Sequence, residues 1–548
     1  MAKRYDAILI GAGHNGLICA AYLARAGLSA LVLERRHLVG GAAVTEEIYP
    51  GFKYSVCSYV VSLLRPSIIS DLDLPKHGFE LLPLDGTLSP LPEGDYLMRW
   101  HDAAETRLEL MRHSHTDAEA YERFSRRMYH LAMAIRPLLG IAPPSLTSLA
   151  PRNLHRLWQL RGTLARHEPH LYDLARIMTM SSADYVEEWF ETPALQGALA
   201  ASGIIGTFLG PRSPGSAYVM LHHYMGEIDG QFRAWGLPRG GMGAVSEAIA
   251  AAARGFGAEI RTEAEIVEVL IRNGRACGVV LANGDEIEAE AVVSNADPKR
   301  TFEKLVASGH LDAEFRAQIA RYNIRGSSAK VNLALDALPR FACLEPLEQQ
   351  GVDVHQYLAG AISISPDIDY LERAYDDAKY GRYSRRPYMD IVLSSLLDPS
   401  MAPPGKHMMT IFVQYAPYEL KDSTWEEQRE AFGDTVVDTL AEYAPNLKDI
   451  ILHRQVVTPW DLEQNIGLTG GNIFHGELGL QQLFSLRPVA GLDGYRTPID
   501  KLYLCGSGTH PGGGVMGASG QLAARRVIDD FGKRRTTSNA RPHRERAG

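Results

Sequence analysis

Apolar residues recur along this chain in more than one rhythm. Residues 7–10 and 30–33 are short unbroken apolar runs, the pattern of parallel strands buried on both faces. Between them, residues 17–26 read as a helix that stops at Gly27, a C-terminal glycine. From Gly236 the same character returns as loop, helix, turn and strand. Residues 266–271, 276–281 and 287–294 then alternate or run apolar, with Asn273-Gly274 and Asn283-Gly284 between them, a strong hairpin signal. Helical patterns dominate 76–235, including 117–139 and 184–190. The small apolar stretch 195–210 suits the lining of a pocket or core. Candidate strands at 329–335, 388–394 and 407–415 and an amphipathic helix over 424–443 make the region from 326 mixed. A last strand, 502–505, enters a glycine-rich loop, and a helix leaves it from about Val515.

The first strand-to-helix turn carries Gly11, Gly13 and Gly16 as G-x-G-x-x-G. The first glycine permits the tight turn, the second lets a pyrophosphate approach the backbone, and the third lets helix and strand pack closely. Glu34 ends the second strand, where a carboxylate binds adenosine ribose hydroxyls. Gly40-Gly41 follows, letting the backbone run beside phosphates and a ribityl chain. Gly512, Gly514 and Gly517 repeat the glycine spacing, but no second strand and acid follow, so one nucleotide site is expected.

The 548 residues carry a net charge of −9. Lys533–Gly548 holds six Lys/Arg and one Glu, so the rest sits at −14, which excludes a nucleic-acid binder. That tail, 533–548, reads as a basic disordered end. Five scattered cysteines without C-x-x-C argue against a dithiol centre, a zinc site and a secreted disulfide framework. No apolar run reaches eighteen residues and six residues precede the first strand, so a cytoplasmic protein without a transmembrane helix or presequence is expected. The interval 142–170 interleaves Arg with Leu and Trp. It reads as an ordinary packed helix, with peripheral membrane contact as the alternative.

The stretches I-G-A-G-H-N-G-L, E-R-R-H-L-V-G-G-A-A-V-T-E-E-I-Y-P-G-F-K-Y-S, G-G-N-I-F-H and L-Y-L-C-G-S-G-T-H-P-G-G-G-V-M-G-A-S-G resemble the pyridine nucleotide-disulfide oxidoreductase domain-containing protein 2 family. That group lies within the phytoene desaturase and flavin amine oxidase superfamily, and the likeness spans residues 5–530. It implies an α/β fold: a Rossmann-like FAD-binding domain of the double-glycine type with a second, mixed α+β substrate domain. The FAD-binding parts fall at 1–75, 236–325 and 465–532. The substrate domain falls at 76–235, mostly helical, and 326–464, mixed.

The resemblance also implies roles. Gly11, Gly13, Gly16, Glu34 and Arg35 hold the nucleotide, Gly40, Gly41 and Ala42 run beside it, and the backbone of Ile266 flanks the adenine. Gly506 and Ser507 fall near the pyrophosphate, and Val515 and Met516 tune the flavin ring. The superfamily's usual arginine two residues before the glycine pair is Leu38 here, with Arg35 and Arg36 nearby. FAD is expected to be non-covalent, because the segment before the last glycine loop lacks the cysteine that covalent relatives use. Eukaryotic members of the family are mitochondrial.

Lys330 shares a strand face with Asn332 and Ala334, as the lysine that holds a water near flavin N5 does in amine oxidases. The alternative is an exposed lysine on a half-buried strand. His510 and His475 are catalytic candidates, each with a loop-stabilising alternative, and His222 and His223 suit core positions. No metal spacing is present. The chain therefore reads as an FAD oxidoreductase that takes a hydride from an apolar or amphipathic small molecule, with oxygen or a quinone as acceptor. An amine oxidase and a flavin-binding regulator with little turnover are the alternatives.

Overall fold

The computed structural model describes residues 4–145, 148–228, 230–492 and 494–538. Strand Tyr5–Ile10 lies inside a seven-stranded sheet, parallel to Ala30–Leu33 on one side and Glu286–Ser294 on the other. Glu259–Arg261 adds beyond Ala30–Leu33, and Leu502–Leu504 pairs in parallel with Glu286–Ser294. The other edge is the antiparallel meander Ile266–Arg272, Arg275–Leu281 and Glu286–Ser294. Asn273 and Gly274 both take positive φ at its first turn, as a tight hairpin requires.

Successive residues of the central strands point to opposite faces. Leu9, Val32 and Val293 meet helices His14–Arg25, Met242–Gly255 and Ala518–Ser538. Ile8, Leu31 and Val292 meet the meander together with Phe302 and Phe315. This is the expected Rossmann-like layer.

The last helix starts at Ala518, later than the apolar pattern suggests. Gly512, Gly514, Val515 and Gly517 all have positive φ, which no α-helix accommodates. It also runs to Ser538, so 533–538 continue a helix where a disordered tail was expected; 539–548 lie outside the described residues.

The second sheet also has seven strands, in the order Ile451–Val457, Ser328–Leu335, His407–Gln414, Tyr388–Leu393, Ala361–Ile364, Gly86–Pro90 and Tyr96–Trp100. The last two form a hairpin inside the stretch expected to be mostly helical. Five-residue strands carry too few apolar positions to stand out from their helical surroundings. Helix Trp425–Ala441 begins at a capping box between Thr424 and Glu427 and packs Trp425, Phe432 and Val436 on Val331, Leu333 and Ile411. Helix His115–Ile135 gives way to a tighter turn at Arg136-Pro137, where proline removes a backbone donor. Helix Pro151–Arg166 leaves Trp158 71% exposed. Among the described residues, no helix is long and apolar enough to cross a membrane.

Candidate active site

Two connecting cavities lie between the layers, sharing His14, Ala42, Ile473 and Ser507 in their walls. The smaller, about 140 Å³, is walled by Gly11, Gly13, Glu34, Arg35, Gly40, Gly41 and Ile266. Backbone closeness shapes it. A Cβ at Gly13 would stand 2.8 Å from Asn295 Nδ2, and one at Gly41 would stand 3.3 Å from the Gly13 Cα. Glu34 is buried; its Oε2 accepts the Ala12 N–H at 2.8 Å and its Oε1 the Arg36 N–H at 3.0 Å. Each oxygen has a further lone pair for a hydroxyl. Arg35 donates to the Gln464 carbonyl at 3.0 Å, and burial together with Arg300 lowers its pKa.

His14 Nε2 and His475 Nδ1, both buried in this wall, have no hydrogen-bond partner among the described residues. Burial and the neighbouring His475 hold His14 down to about 4, and burial lowers His475 too. A close-backbone cradle, a carboxylate at one end and orphaned buried polar atoms at the other fit a bound dinucleotide. Ser507 stands at the junction, accepting from Asn15 Nδ2 at 3.1 Å. Gly16, Gly506 and Met516 do not line either cavity. Gly16 instead lets the helix approach the strand, and Met516 packs in the helical core. Val515 does line the larger cavity, at φ 54, an unusual conformation for a β-branched residue.

The larger cavity is about 420 Å³. Lys330 lies in its wall and is 2% exposed, because its strand is buried on both faces at all eight positions. The Lys330 ammonium sits 4.4 Å from the centroid of the Tyr59 ring and donates to Thr410 Oγ1. Thr410 donates on to Asn332 Oδ1 at 2.7 Å, and Asn332 Nδ2 to Gln455 at 2.9 Å. Tyr59 donates to Asp390. Burial pushes Lys330 down to about 7, against the pull of Cys57 and Asp390, and pushes Asp390 up to about 6, against Tyr59 and Lys330. Cys57, Tyr59, Asp390 and Thr410 carry no motif; strand pairing brings Lys330, Asp390 and Thr410 together, and Tyr59 reaches them from the loop after strand Phe52–Ser55 through Asp390 and Lys330.

The other histidine candidates separate. His510 lines neither cavity: its Nε2 meets the Leu138 carbonyl at 3.0 Å and its own carbonyl accepts from Tyr495 at 2.8 Å. It ties the glycine loop to the helical region. His475 borders the nucleotide cavity and not the larger one. His222 lines neither cavity, whereas His223 does line the larger one with its Nδ1 2.9 Å from the Val219 carbonyl. Burial holds both neutral. The fold also brings Cys19 and Cys505 together without any sequence motif, and Cys19 raises the Cys505 pKa after burial has done so. Both thiols are buried away from the cavities.

A Rossmann layer with a carboxylate-ended nucleotide cavity, adjoining a mainly apolar chamber, defines a flavoprotein oxidoreductase. The chain belongs to the flavin containing amine oxidoreductase family, whose pattern matches residues 101–528, and its cofactor is FAD. Residues 9–70 match an NAD(P)-binding Rossmann-like domain. The chain is 42% identical to pyridine nucleotide-disulfide oxidoreductase domain-containing protein 2 of Rattus norvegicus, over 97% of this chain and 94% of that protein. It is 28% identical to one component of the limonene dehydrogenase of Castellaniella defragrans, over 97% of this chain and 95% of that protein. An oxidoreductase from Methanosarcina mazei shares the fold, with a TM-score of 0.58 at 18% identity over 95% of this chain and 99% of that one.

Proposed function

We propose that the protein removes a hydride from an apolar or amphipathic small molecule held in the larger cavity. The observation that carries this reading is a mainly apolar chamber, walled by Tyr59, Trp235, Val392 and Phe412, that opens directly onto the nucleotide cavity. The likeness to a limonene dehydrogenase component supports a hydrocarbon-like body for the substrate. FAD, when bound without a covalent link, supplies the hydride acceptor. Gly11, Gly13, Gly40 and Gly41 admit its phosphates, Glu34 its ribose, and Ile266 borders its adenine. The aromatic walls exclude water and hold the substrate. Oxygen or a quinone is the proposed final acceptor.

Purified holoprotein is expected to lose its visible flavin band anaerobically with one fraction of a lipid extract. A band that no lipid fraction bleaches but an amine does would replace this reading with an amine oxidase. A band that nothing bleaches would favour a regulator.

In this reading Lys330, in the wall of the chamber, holds a proton beside the reacting groups. Its ammonium is present below about 7 and lost as pH rises through that value. Reoxidation of reduced protein by oxygen is therefore expected to slow across that interval. Lys330→Met is expected to be slow throughout, by about tenfold or more, within the range of a positioned proton-transfer group. A variant with the native rate and pH profile would remove Lys330 from the site.

A further inference from the structure

Two arginines line the larger cavity without a carboxylate partner. Arg99, on strand Tyr96–Trp100, is 8% exposed, and its Nε has no hydrogen-bond partner among the described residues. Arg233 is held at φ 63, donates from Nη1 to Tyr121 Oη at 2.9 Å and lies 4.5 Å from the centroid of the Tyr224 ring. Among the described residues neither forms an ion pair. Tyr224 is 2% exposed and its hydroxyl is also unpartnered. All four side chains border the same space, next to the exposed His101 and Ala103 that mark where it meets solvent.

Arg99 is buried and Arg233 half-buried; two guanidinium groups so withdrawn from water repel one another, and an anion between them relieves both the repulsion and the lost hydration. Tyr121 reports the resulting field. Burial alone would raise its pKa, yet Arg233 and Arg99 outweigh burial and lower it. Arg99 Nε and the Tyr224 hydroxyl are donors awaiting an acceptor among the described residues, and a guanidinium fork matches a carboxylate in shape.

We propose that Arg99, Arg233, Tyr121 and Tyr224 bind the anionic head of the substrate, which is an amphipathic carboxylate. Its head stays near the opening and its apolar body runs inward between Trp235 and Phe412 toward Tyr59 and Lys330. Oxidation then falls on the body rather than beside the head. A cationic amine is disfavoured, because Arg99, Arg233 and Lys330 face a single carboxylate, Asp390, in this wall. The inference rests on the reading that the larger cavity holds the molecule to be oxidised.

Calorimetric titration of the flavin-loaded protein with octanoate, octanol and octylamine tests it. Octanoate is expected to bind at least about tenfold tighter than octanol, a difference that corresponds to one charge-assisted contact or more. Octylamine is expected to bind more weakly than either. Arg233→Gln is expected to bring octanoate down to the octanol level and to leave octanol binding unchanged. Should that variant not load flavin, Arg99→Gln is titrated in its place with the same expectation, and Arg233→Lys is expected to retain the preference for octanoate. Octanol binding as tightly as octanoate, or a glutamine variant that keeps the preference, would overturn the anion site.

Heat of binding and bleaching of the flavin band are separate readouts. Octanoate binding in a protein that no compound bleaches would support the anion site and sink the oxidoreductase reading. Bleaching by a neutral molecule, with no preference for octanoate, would sink the anion site alone.

Discussion

Gly16→Ala is expected to give a protein that purifies with little or no flavin. The added Cβ would stand 2.4 Å from the Gly11 carbonyl oxygen and 3.2 Å from Asn295 Cβ. The nearer obstacle is backbone, so helix His14–Arg25 has to lift from strand Tyr5–Ile10. Overpacking of this kind costs about 1–3 kcal/mol, whereas alanine gains about 1 kcal/mol in helix propensity over glycine. The lift also distorts the turn that walls the nucleotide cavity. Flavin retention, read as visible absorbance per protein after gel filtration, is expected to fall with an affinity loss of about tenfold or more, or about 1.4 kcal/mol. Gly255→Ala is the control, since its Cβ would meet nothing within 4 Å. Full flavin in Gly16→Ala would show that strand–helix closeness does not set the site.

The largest stability loss is expected at Arg487, which is 5% exposed. Its guanidinium donates to the carbonyls of Ser507 at 2.9 and 3.1 Å, Phe474 at 2.9 Å, Gly476 at 3.1 Å and Glu477 at 3.0 Å. One side chain thus clamps the 474–477 segment to the loop that carries Ser507. Burial lowers its pKa, with Tyr322 and Tyr218 opposing. Methionine fills similar volume and leaves these buried carbonyls without their donor. Leaving a buried acceptor unsatisfied costs about 1–3 kcal/mol, and four carbonyls lose their donor here. For Arg487→Met the midpoint of urea-induced flavin release is expected to drop accordingly, and Arg487→Lys to recover part of it. A shift worth less than about 1 kcal/mol would mean that water replaces the guanidinium among these carbonyls.

The nucleotide half is legible because each of its parts has a local signature. The apolar runs at 7–10 and 30–33, the glycines of the first turn and Asn273-Gly274 each demand one backbone geometry, and the sheet pairs them as those demands require. Helix Ala518–Ser538 departs from its apolar pattern at both ends. Positive φ at Val515 is a tertiary constraint invisible in such a pattern, and the helix extends past the basic residues at 533–535. The hairpin spanning 86–100 leaves too short a trace to read. The chamber is the least legible part. Tyr59, Asp390, Arg99 and Arg233 come from four separate stretches, and no spacing links them. His510, by contrast, looks catalytic in the sequence because it adjoins the glycine loop, and its ring points to Leu138 instead.

Leu502–Leu504 pairs with Glu286–Ser294, and the last helix meets the first so closely that a Cβ on Gly520 would stand 2.2 Å from the Asn15 carbonyl. During synthesis the first glycine turn therefore leaves the ribosome about five hundred residues before the wall that encloses it. Until then Leu17, Ile18 and Leu23, which are fully buried in the finished protein, have no lasting cover on that face. The first glycine turn is therefore closed in only once the last helix has been made.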